Sequence, residues 1–344
     1  MWKLAIDLGS SMTKIYRADT SIGLVLAEPS CVAVAGVEQT LKAIGKDAKN
    51  LIGKTAEYTS IVYPIYEGEI VDLPLAVAML KDFLSRVGVK TSALKRAQIL
   101  FSVPCGASQA LLNDYTLLAE ECGLGKVYFV EQPYLAALGC GAIVSDSDPV
   151  FCMDIGGGVT NVAVVSGDGI IAGVSMNIGG NNMDTNIIAR VSRTYSLKIG
   201  ALTAERLKNA ICTLGDARGA MVAEGSSTDT CRPAAVSVQA AELSDCIRTY
   251  VDKILEYAGA VLRKLPAEVA ATVNRNGVFL TGGVMKIPGV AAYIGRKLEM
   301  RHYVCEEPQF ATVRGGGAVV RDKALLTAFG RTNESKIRKN IKNG

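Results

Sequence analysis

Two stretches of the chain repeat one arrangement of reactive residue types. Asp7-Leu8-Gly9 opens "DLGSSMTK", and Asp154-Ile155-Gly156 opens "DIGGGVTN" 147 positions later. In each, an apolar run ends in aspartate, an aliphatic residue and glycine, small or hydroxylated residues follow, and a second apolar run leaves. A tight turn of this kind presents consecutive backbone N–H groups, a concave site for an anion, and glycine permits both the unusual dihedrals and the close approach of a phosphate. The first loop, Gly9 to Lys14, adds Ser10, Ser11 and Thr13 as donors around Met12 and Lys14 as a positive charge. The second offers Gly156, Gly157, Gly158 and Thr160. Asp7 and Asp154 suit Mg²⁺, which keeps several waters and takes few protein oxygens, so both are expected to reach a metal through water. One such turn alone reads equally well as an ordinary hairpin. Two of them, each with an aspartate two residues before a glycine, read as two halves of a grip on one polyphosphate.

A third glycine cluster, in "GVFLTGGVMKIPGV" from Gly277 to Val290, follows an apolar strand. Glycines at a strand end let a flat base lie against backbone, which makes Gly282, Gly283, Val284 and Met285 candidate base contacts. A tight strand-to-helix turn is the purely structural alternative. A fourth cluster, Gly315 to Gly317 in "TVRGGGAVVRD", reads as a hinge or as a helix-packing site. Neither G-x-x-x-x-G-K-[ST] nor G-x-G-x-x-G occurs, which removes the P-loop and the dinucleotide fingerprint.

The elements that must hold these loops alternate. "KLAIDLGS", "SIGLVLAEPS", "QILFSVP" and "KVYFVEQP" read as strands. "LPLAVAMLKDFLSRVG" carries apolar residues at helical spacing and ends at Gly88, and "QALLNDYTLLAEECGLG" repeats that pattern. Strands alternating with helices argue an α/β fold. Because Asp154-Ile155-Gly156 restarts the pattern of the N-terminus, the chain is expected to hold two related lobes, divided near Val144–Pro149.

Composition excludes other chemistries. The 344 residues are 49% hydrophobic and 20% charged, enough for two cores and too apolar for disorder. Nine cysteines are scattered singly, with no C-x-x-C pair, as expected of buried, reduced thiols in a cytoplasmic protein. His302 is the only histidine, which argues against a Ser-His-Asp triad or a histidine metal site. Met1-Trp2-Lys3 leads straight into the first strand without a signal peptide, and no apolar run reaches the roughly 18 residues of a membrane span. The formal charge of +4 equals that of the segment 331–344, where Arg331, Lys336, Arg338, Lys339 and Lys342 face only Glu334. The remainder is neutral, so no nucleic-acid footprint is expected. The tail reads as a solvated terminus or as a weak contact with an anionic membrane or polymer.

With two phosphate loops and a strand ending "LTGG" in this order, the sequence resembles the superfamily of actin, sugar-kinase and heat-shock-chaperone ATPases. Within it, "AIDLGSSMTKIY", "YPIYEGEIVD", "VEQPYLAALGCG", "MDIGGGVTNVAVVS", "GGNNMDTNI", "LTAERLK", "GVFLTGGVMKIPGV" and "EEPQFATVRGGGAVV" are similar to segments of the MreB-like bacterial actins, over roughly residues 3–320. The resemblance implies an actin-like two-lobe ATPase fold with a duplicated core and two inserted outer subdomains. Lobe I would span 1–146 with its outer part near 32–66, and lobe II 147–314 with its outer part near 184–245. Residues 315–330 would return to lobe I, and 331–344 would form the basic tail. The resemblance also implies ATP or GTP with Mg²⁺ in the cleft, slow hydrolysis subordinate to self-assembly into filaments, commonly double, and a role in cell shape, with the protein cytoplasmic or at the inner membrane.

Carried over by position, Gly180 and Asp184 of "GGNNMD" match the segment flanking the nucleotide's sugar, Lys208 matches in "AERLK", and Gln132 of "VEQP" stands where the family orients the attacking water. MreB-like proteins usually show glutamate there. Glutamine can position water but cannot take its proton as a base, so slow hydrolysis is expected. Glu131, its neighbour on an expected strand, should point to the opposite face. Ala210 replaces a ribose-contacting glutamate, and Asn181 and Asn182 replace acidic residues. The segment 86–96 matches the family's membrane loop and offers Val87, Val89 and Leu94 among Lys90, Lys95 and Arg96, a modest anchor or an ordinary loop. A non-polymerising, chaperone-like ATPase of the same superfamily is the alternative function. A small-molecule kinase ranks third, because no motif marks an acceptor pocket.

Overall fold

The fold is given by a computed structural model that describes residues 1–54 and 58–332. The predicted apolar runs form β1 (Lys3–Leu8), β2 (Met12–Arg17), β3 (Gly23–Pro29), β4 (Gln98–Val103) and β5 (Lys126–Glu131). Strand β1 pairs antiparallel with β2 and parallel with β4, while β3 and β5 extend the sheet on either side. A second set comprises β6 (Val150–Ile155), β7 (Thr160–Ser166), β8 (Gly169–Met176), β9 (Val278–Thr281) and β10 (His302–Val304). Here β6 pairs antiparallel with β7 and parallel with β9. The order β3-β2-β1-β4-β5 is therefore reproduced as β8-β7-β6-β9-β10. The repeated Asp-aliphatic-Gly signature marks a repeated sheet topology.

The central strands read as continuous apolar runs because both of their faces are covered; β7 is buried at every position. Helix α1 (Leu73–Arg86) buries Leu75, Ala76, Met79, Leu80, Phe83 and Leu84 along one stripe. Its first turn is capped by Asp72, which accepts from the Leu75 N–H at 3.0 Å, and past its last turn Gly88 takes a φ of 81°, as its predicted role requires. Helix α2 (Gln109–Glu121) starts at Ser108 in the same way, with the Leu111 N–H at 3.2 Å. Helix α3 (Gln132–Gly139) follows β5 directly. Helices α4 (Gly180–Tyr195), α5 (Ala201–Ile211) and α6 (Ala240–Leu262) share a core with the second sheet, centred on Met153, Val162, Ile187, Leu207, Ile247 and Leu280.

Two small three-stranded sheets are separate from the two large ones, though each adds buried residues to the neighbouring core. One comprises Val32–Ala35, Thr40–Ile44 and Thr59–Val62, and the other Leu197–Lys198, Ala220–Ser227 and Pro233–Gln239. The limits predicted at 184 and 245 fall inside α4 and α6, which continue unbroken through both positions. The return predicted at 315 likewise falls inside α7 (Ala311–Arg321), and the tail predicted from 331 instead begins with a strand, β11 (Arg331–Thr332), antiparallel to β5. Residues 333–344 lie outside the described residues. In the segment 86–96, Val89 and Leu94 are buried in the first core, Val87 packs half-buried against it, and Lys90, Lys95 and Arg96 are exposed.

Packing settles the role of Gly315–Gly317. All three lie buried within α7, where glycine costs about 1 kcal/mol against alanine, so close contact must compensate. A Cβ on Gly315 would overlap the Leu135 carbonyl of α3, and one on Gly317 would overlap the Tyr16 ring of β2. Gly139, closing α3, faces the Ala311 carbonyl just as tightly. The cluster is a helix-packing site. Gly315→Ala is expected to lower stability by about 3 kcal/mol by overpacking, measured as an earlier midpoint in urea or thermal unfolding.

Candidate functional site

The two sheets bring their equivalent turns face to face. The first turn closes with the Gly9 N–H donating to the Met12 carbonyl at 3.2 Å, and the second with Gly156 to Val159 at 2.9 Å. A Cβ on Gly157 would overlap the Ser11 hydroxyl, and one on Gly158 would lie 2.7 Å from Ser10 Cβ. Glycine is therefore required by the opposing hairpin as much as by its own turn. Ser11 Oγ lies 2.9 Å from Asn181 Oδ1 on the first turn of α4, a direct bond between the halves.

Around these turns opens a cavity of about 350 Å³. Of the predicted residues, Asp7, Gly9, Ser10, Ser11, Met12, Lys14, Gln132, Asp154, Gly156, Gly157, Gly158, Gly180, Lys208, Gly282, Gly283 and Val284 line it. Among the described residues, the amides of Ser10, Ser11, Gly157 and Gly158 make no backbone hydrogen bond, and all four residues line the cavity. Gly282 holds a φ of 91° against the Ile155 backbone, where no side chain fits.

Four predicted contacts do not reach the cavity. Thr13 and Thr160 occupy equivalent positions: Leu8 faces Thr13 and Ile155 faces Thr160 across the hairpins, while Asp7 faces Lys14 and Asp154 faces Asn161. Side chains alternate along a strand, so if the aspartate pairs face the cleft, the threonines face inward. Thr13 shares a hydrogen bond with Ser30 Oγ at 2.8 Å, and Thr160 donates to the Ile178 carbonyl at 2.6 Å. Asp184 is the ion-pair partner of Lys208 at 2.6 Å, one step behind the lining, and burial pushes its carboxyl up to about 6. Met285 is buried in the second core. Lys208 also donates to the Gly180 carbonyl at 3.0 Å, fixing α5 against α4.

A polar relay crosses the cleft floor. Asp7 Oδ2 pairs with Lys14 Nζ at 2.7 Å, and Asp7 Oδ1 accepts from Ser102 at 2.7 Å and Gln132 Nε2 at 3.4 Å. Gln132 Oε1 accepts from Asn161 Nδ2 at 2.7 Å, and Asn161 Oδ1 accepts from the Cys105 N–H at 2.9 Å. Gln132 is the first residue of α3 rather than a strand residue. Glu131, the N-cap, turns away to accept from the Gly106 N–H at 2.7 Å and lines a separate cavity. On the other side, Asp154 accepts from Thr281 at 2.9 Å and Thr312 at 3.0 Å. Burial, then the negative Asp7, push its carboxyl up, and these hydroxyls with Lys14 pull it down. Two carboxylates sharing one lysine leave room for a cation, yet no group of three or more His, Cys, Asp or Glu capable of holding a metal exists among the described residues. That donor set fits Mg²⁺ held largely through water.

Several lining residues were not predicted. Asn161 was legible in principle, since laying one repeat over the other puts it at the place of Lys14. Glu205 lies one turn of α5 before the predicted Lys208 and Asn209 directly after it, and Glu205 pairs with Lys49 of the first outer sheet's short helix at 2.6 Å, so a carboxylate does face this wall despite Ala210. Gln309, Phe310 and Thr312 arrive from the chain's late return and carry no local signal.

Residues 1–327 match the family model described as MreB/Mbl protein. The chain belongs to the MreB/Mbl family. The cell shape-determining protein MreB of Escherichia coli is 32% identical over 326 residues, covering 91% of this chain and 92% of that protein. The cell shape-determining protein Mbl of Bacillus subtilis is 30% identical over 319 residues, 92% and 95% of the two chains. Among solved structures, MreB 5 of Spiroplasma citri bound to AMPPNP superposes with a TM-score of 0.86 at 26% identity, covering 100% of this chain and 98% of that one, and the same protein was also solved bound to ADP. The chain of a MamK double helical filament shares the fold, with a TM-score of 0.77 at 20% identity over 93% and 99% of the two chains. The MreB/Mbl fold accounts for the paired hairpins, and this chain's relay through Asn161 and Gln132 is built on them. Because Asn161 is 1% exposed and satisfies two partners, Asn161→Ala should destabilise by about 2 kcal/mol. Urea unfolding of the nucleotide-free protein measures it.

Proposed function

We propose that this chain is a nucleotide-dependent, filament-forming cell-shape protein that binds and slowly hydrolyses ATP in the cleft between its two hairpins. The observation that carries this reading is the convergence of two equivalent turns, with bare amides at Ser10, Ser11, Gly157 and Gly158, on one cavity. The AMPPNP- and ADP-bound forms of a relative with the same fold support a nucleotide there. GTP would make the same phosphate contacts, so ATP is the narrower proposal.

In this reading the amides of both turns and Lys14 hold the terminal phosphates from opposite sides, and the glycine shelf at Gly282–Gly283 carries the base. Asp7 and Asp154 would hold Mg²⁺ through water, and the ion supplies charge neutralisation on the phosphates when bound. Gln132, fixed by Asn161 and leaning on Asp7, orients a water in line with the γ-phosphate. As an amide it takes no proton, so positioning and electrostatics supply the catalysis and turnover is slow. A nucleotide touching both turns couples the angle between the halves to its phosphates, which fits the protomer for head-to-tail contacts; contacts whose rotation does not close give filaments. We place the protein in the cytoplasm, with the cations of 86–96 and of the tail available to an anionic membrane surface. No helix among the described residues is long and apolar enough to cross a membrane.

Electron microscopy and sedimentation with ATP and Mg²⁺ test the reading: long filaments are expected, and Asp154→Ala should abolish nucleotide-dependent pelleting. ATP turnover without filaments would favour the chaperone-like alternative. Gln132→Ala should retain nucleotide binding while phosphate release falls on the order of 10²-fold, followed with a phosphate sensor.

A further inference from the structure

One residue of the nucleotide cavity holds an acceptor that the protein leaves unanswered. Among the described residues, four buried side-chain atoms lack a hydrogen-bond partner, on Asp82, Asp184, Arg190 and Gln309, and of these residues only Gln309 lines the cavity. A buried carbonyl oxygen without a donor is costly, and at the wall of a ligand cavity that cost points to a donor on the ligand. The place of Gln309 is fixed by its neighbours. It lies in the short 3₁₀ helix Pro308–Phe310, and the Gly282 N–H donates to the Pro308 carbonyl at 3.0 Å, tying this helix to the glycine shelf. Gly282 is packed against the Ile155 backbone, whereas a Cβ on Gly283 would meet only open space. The shelf is therefore bare at Gly283, and Gln309 is held beside it. Two charged residues of α5 at the same cavity are already engaged. Lys208 bonds Asp184 and the Gly180 carbonyl, and Glu205 pairs with Lys49.

We propose that Gln309 selects adenine as the base of the bound nucleotide. This inference rests on the proposed function, because it takes the cleft as a nucleotide site, and it adds the residue that distinguishes one purine from the other. A carboxamide carries an acceptor and a donor side by side, and its last torsion is broad, so it turns readily toward a ligand. Adenine offers the matching pair on one edge, its 6-amino donor beside the N7 acceptor. Guanine shows O6 and N7 on that edge, two acceptors, which oppose the carboxamide oxygen with another oxygen and leave it without a donor. In the complex the Gln309 oxygen accepts from the 6-amino group and its amide nitrogen donates to N7. The phosphate turns contribute nothing to this choice, since ATP and GTP are identical there.

The test is calorimetric titration of the full chain, with Mg²⁺, by ATP, GTP, purine riboside triphosphate (which lacks the 6-amino group) and inorganic tripolyphosphate. The wild-type chain is expected to bind ATP roughly tenfold more tightly than either GTP or purine riboside triphosphate. Gln309→Leu should weaken ATP to the level of purine riboside triphosphate and leave tripolyphosphate binding unchanged, which separates lost base recognition from damage to the fold or the phosphate turns. The inference is overturned, with the nucleotide site intact, by equal wild-type binding of ATP and purine riboside triphosphate or by an ATP preference that survives in Gln309→Leu. Loss of that preference in Lys286→Met instead, the exposed cation of the same wall, overturns it too. If none of the ligands binds the wild-type chain, the proposed function itself fails and this inference with it.

Discussion

The approach of two backbone turns to within a side chain's width is the constraint on which the rest of the molecule depends. Ser10 and Ser11 on one turn pack into the space that a Cβ on Gly158 or Gly157 would take on the other. Such proximity is tolerable only because each turn sits at the end of a hairpin anchored by a largely buried strand, so the sheets rather than the loops set the gap. It leaves amide hydrogens from both halves without protein acceptors in one small volume, an arrangement that is costly unless an anion or water answers them.

From that constraint the second layer follows. Negative charge at Asp7 and Asp154 lies beside the anion cradle, and in isolation it would repel the ligand the amides attract. Lys14 offsets one carboxylate, hydroxyls of Ser102, Thr281 and Thr312 stabilise both, and the remaining imbalance suits a hydrated divalent cation. The Asn161–Gln132 bond then connects the second hairpin to the helix beginning beside the first sheet. A change in the distance between halves is felt at Gln132, the group best placed to orient water. Above the cavity, the Lys49–Glu205 pair joins the outer regions with partly exposed charges, a contact weak enough to open and close.

The α3–α7 crossing supplies the rigid floor. Helices normally pack 8–10 Å apart, and glycines at the crossing permit closer approach at the expense of helix propensity. Here they let α7, which arrives from the second half, lie directly on β1 and β2 of the first.

Local chemistry in the sequence determined the strands of the repeated unit, the helices near 73–86 and 109–121 with the stop at Gly88, the duplication itself and the identity of most lining residues. Each of these depends on near neighbours: apolar runs, an aspartate before a turn, glycines where backbone must come close. The facing of Thr13 and Thr160 was within reach too, since strand alternation puts them opposite the aspartates' face, but the attraction of a hydroxyl near a phosphate loop obscured it. Tertiary structure alone decided what distance along the chain conceals. Gln309, Phe310 and Thr312 reach the cavity only because α7 crosses back, Val89 and Leu94 turn inward only because α1 and the first sheet cover them, and Asn181 meets Ser11 only because two separate sheets stop at the same place. No pattern of near neighbours encodes these meetings, because they are set by how whole sheets and helices pack.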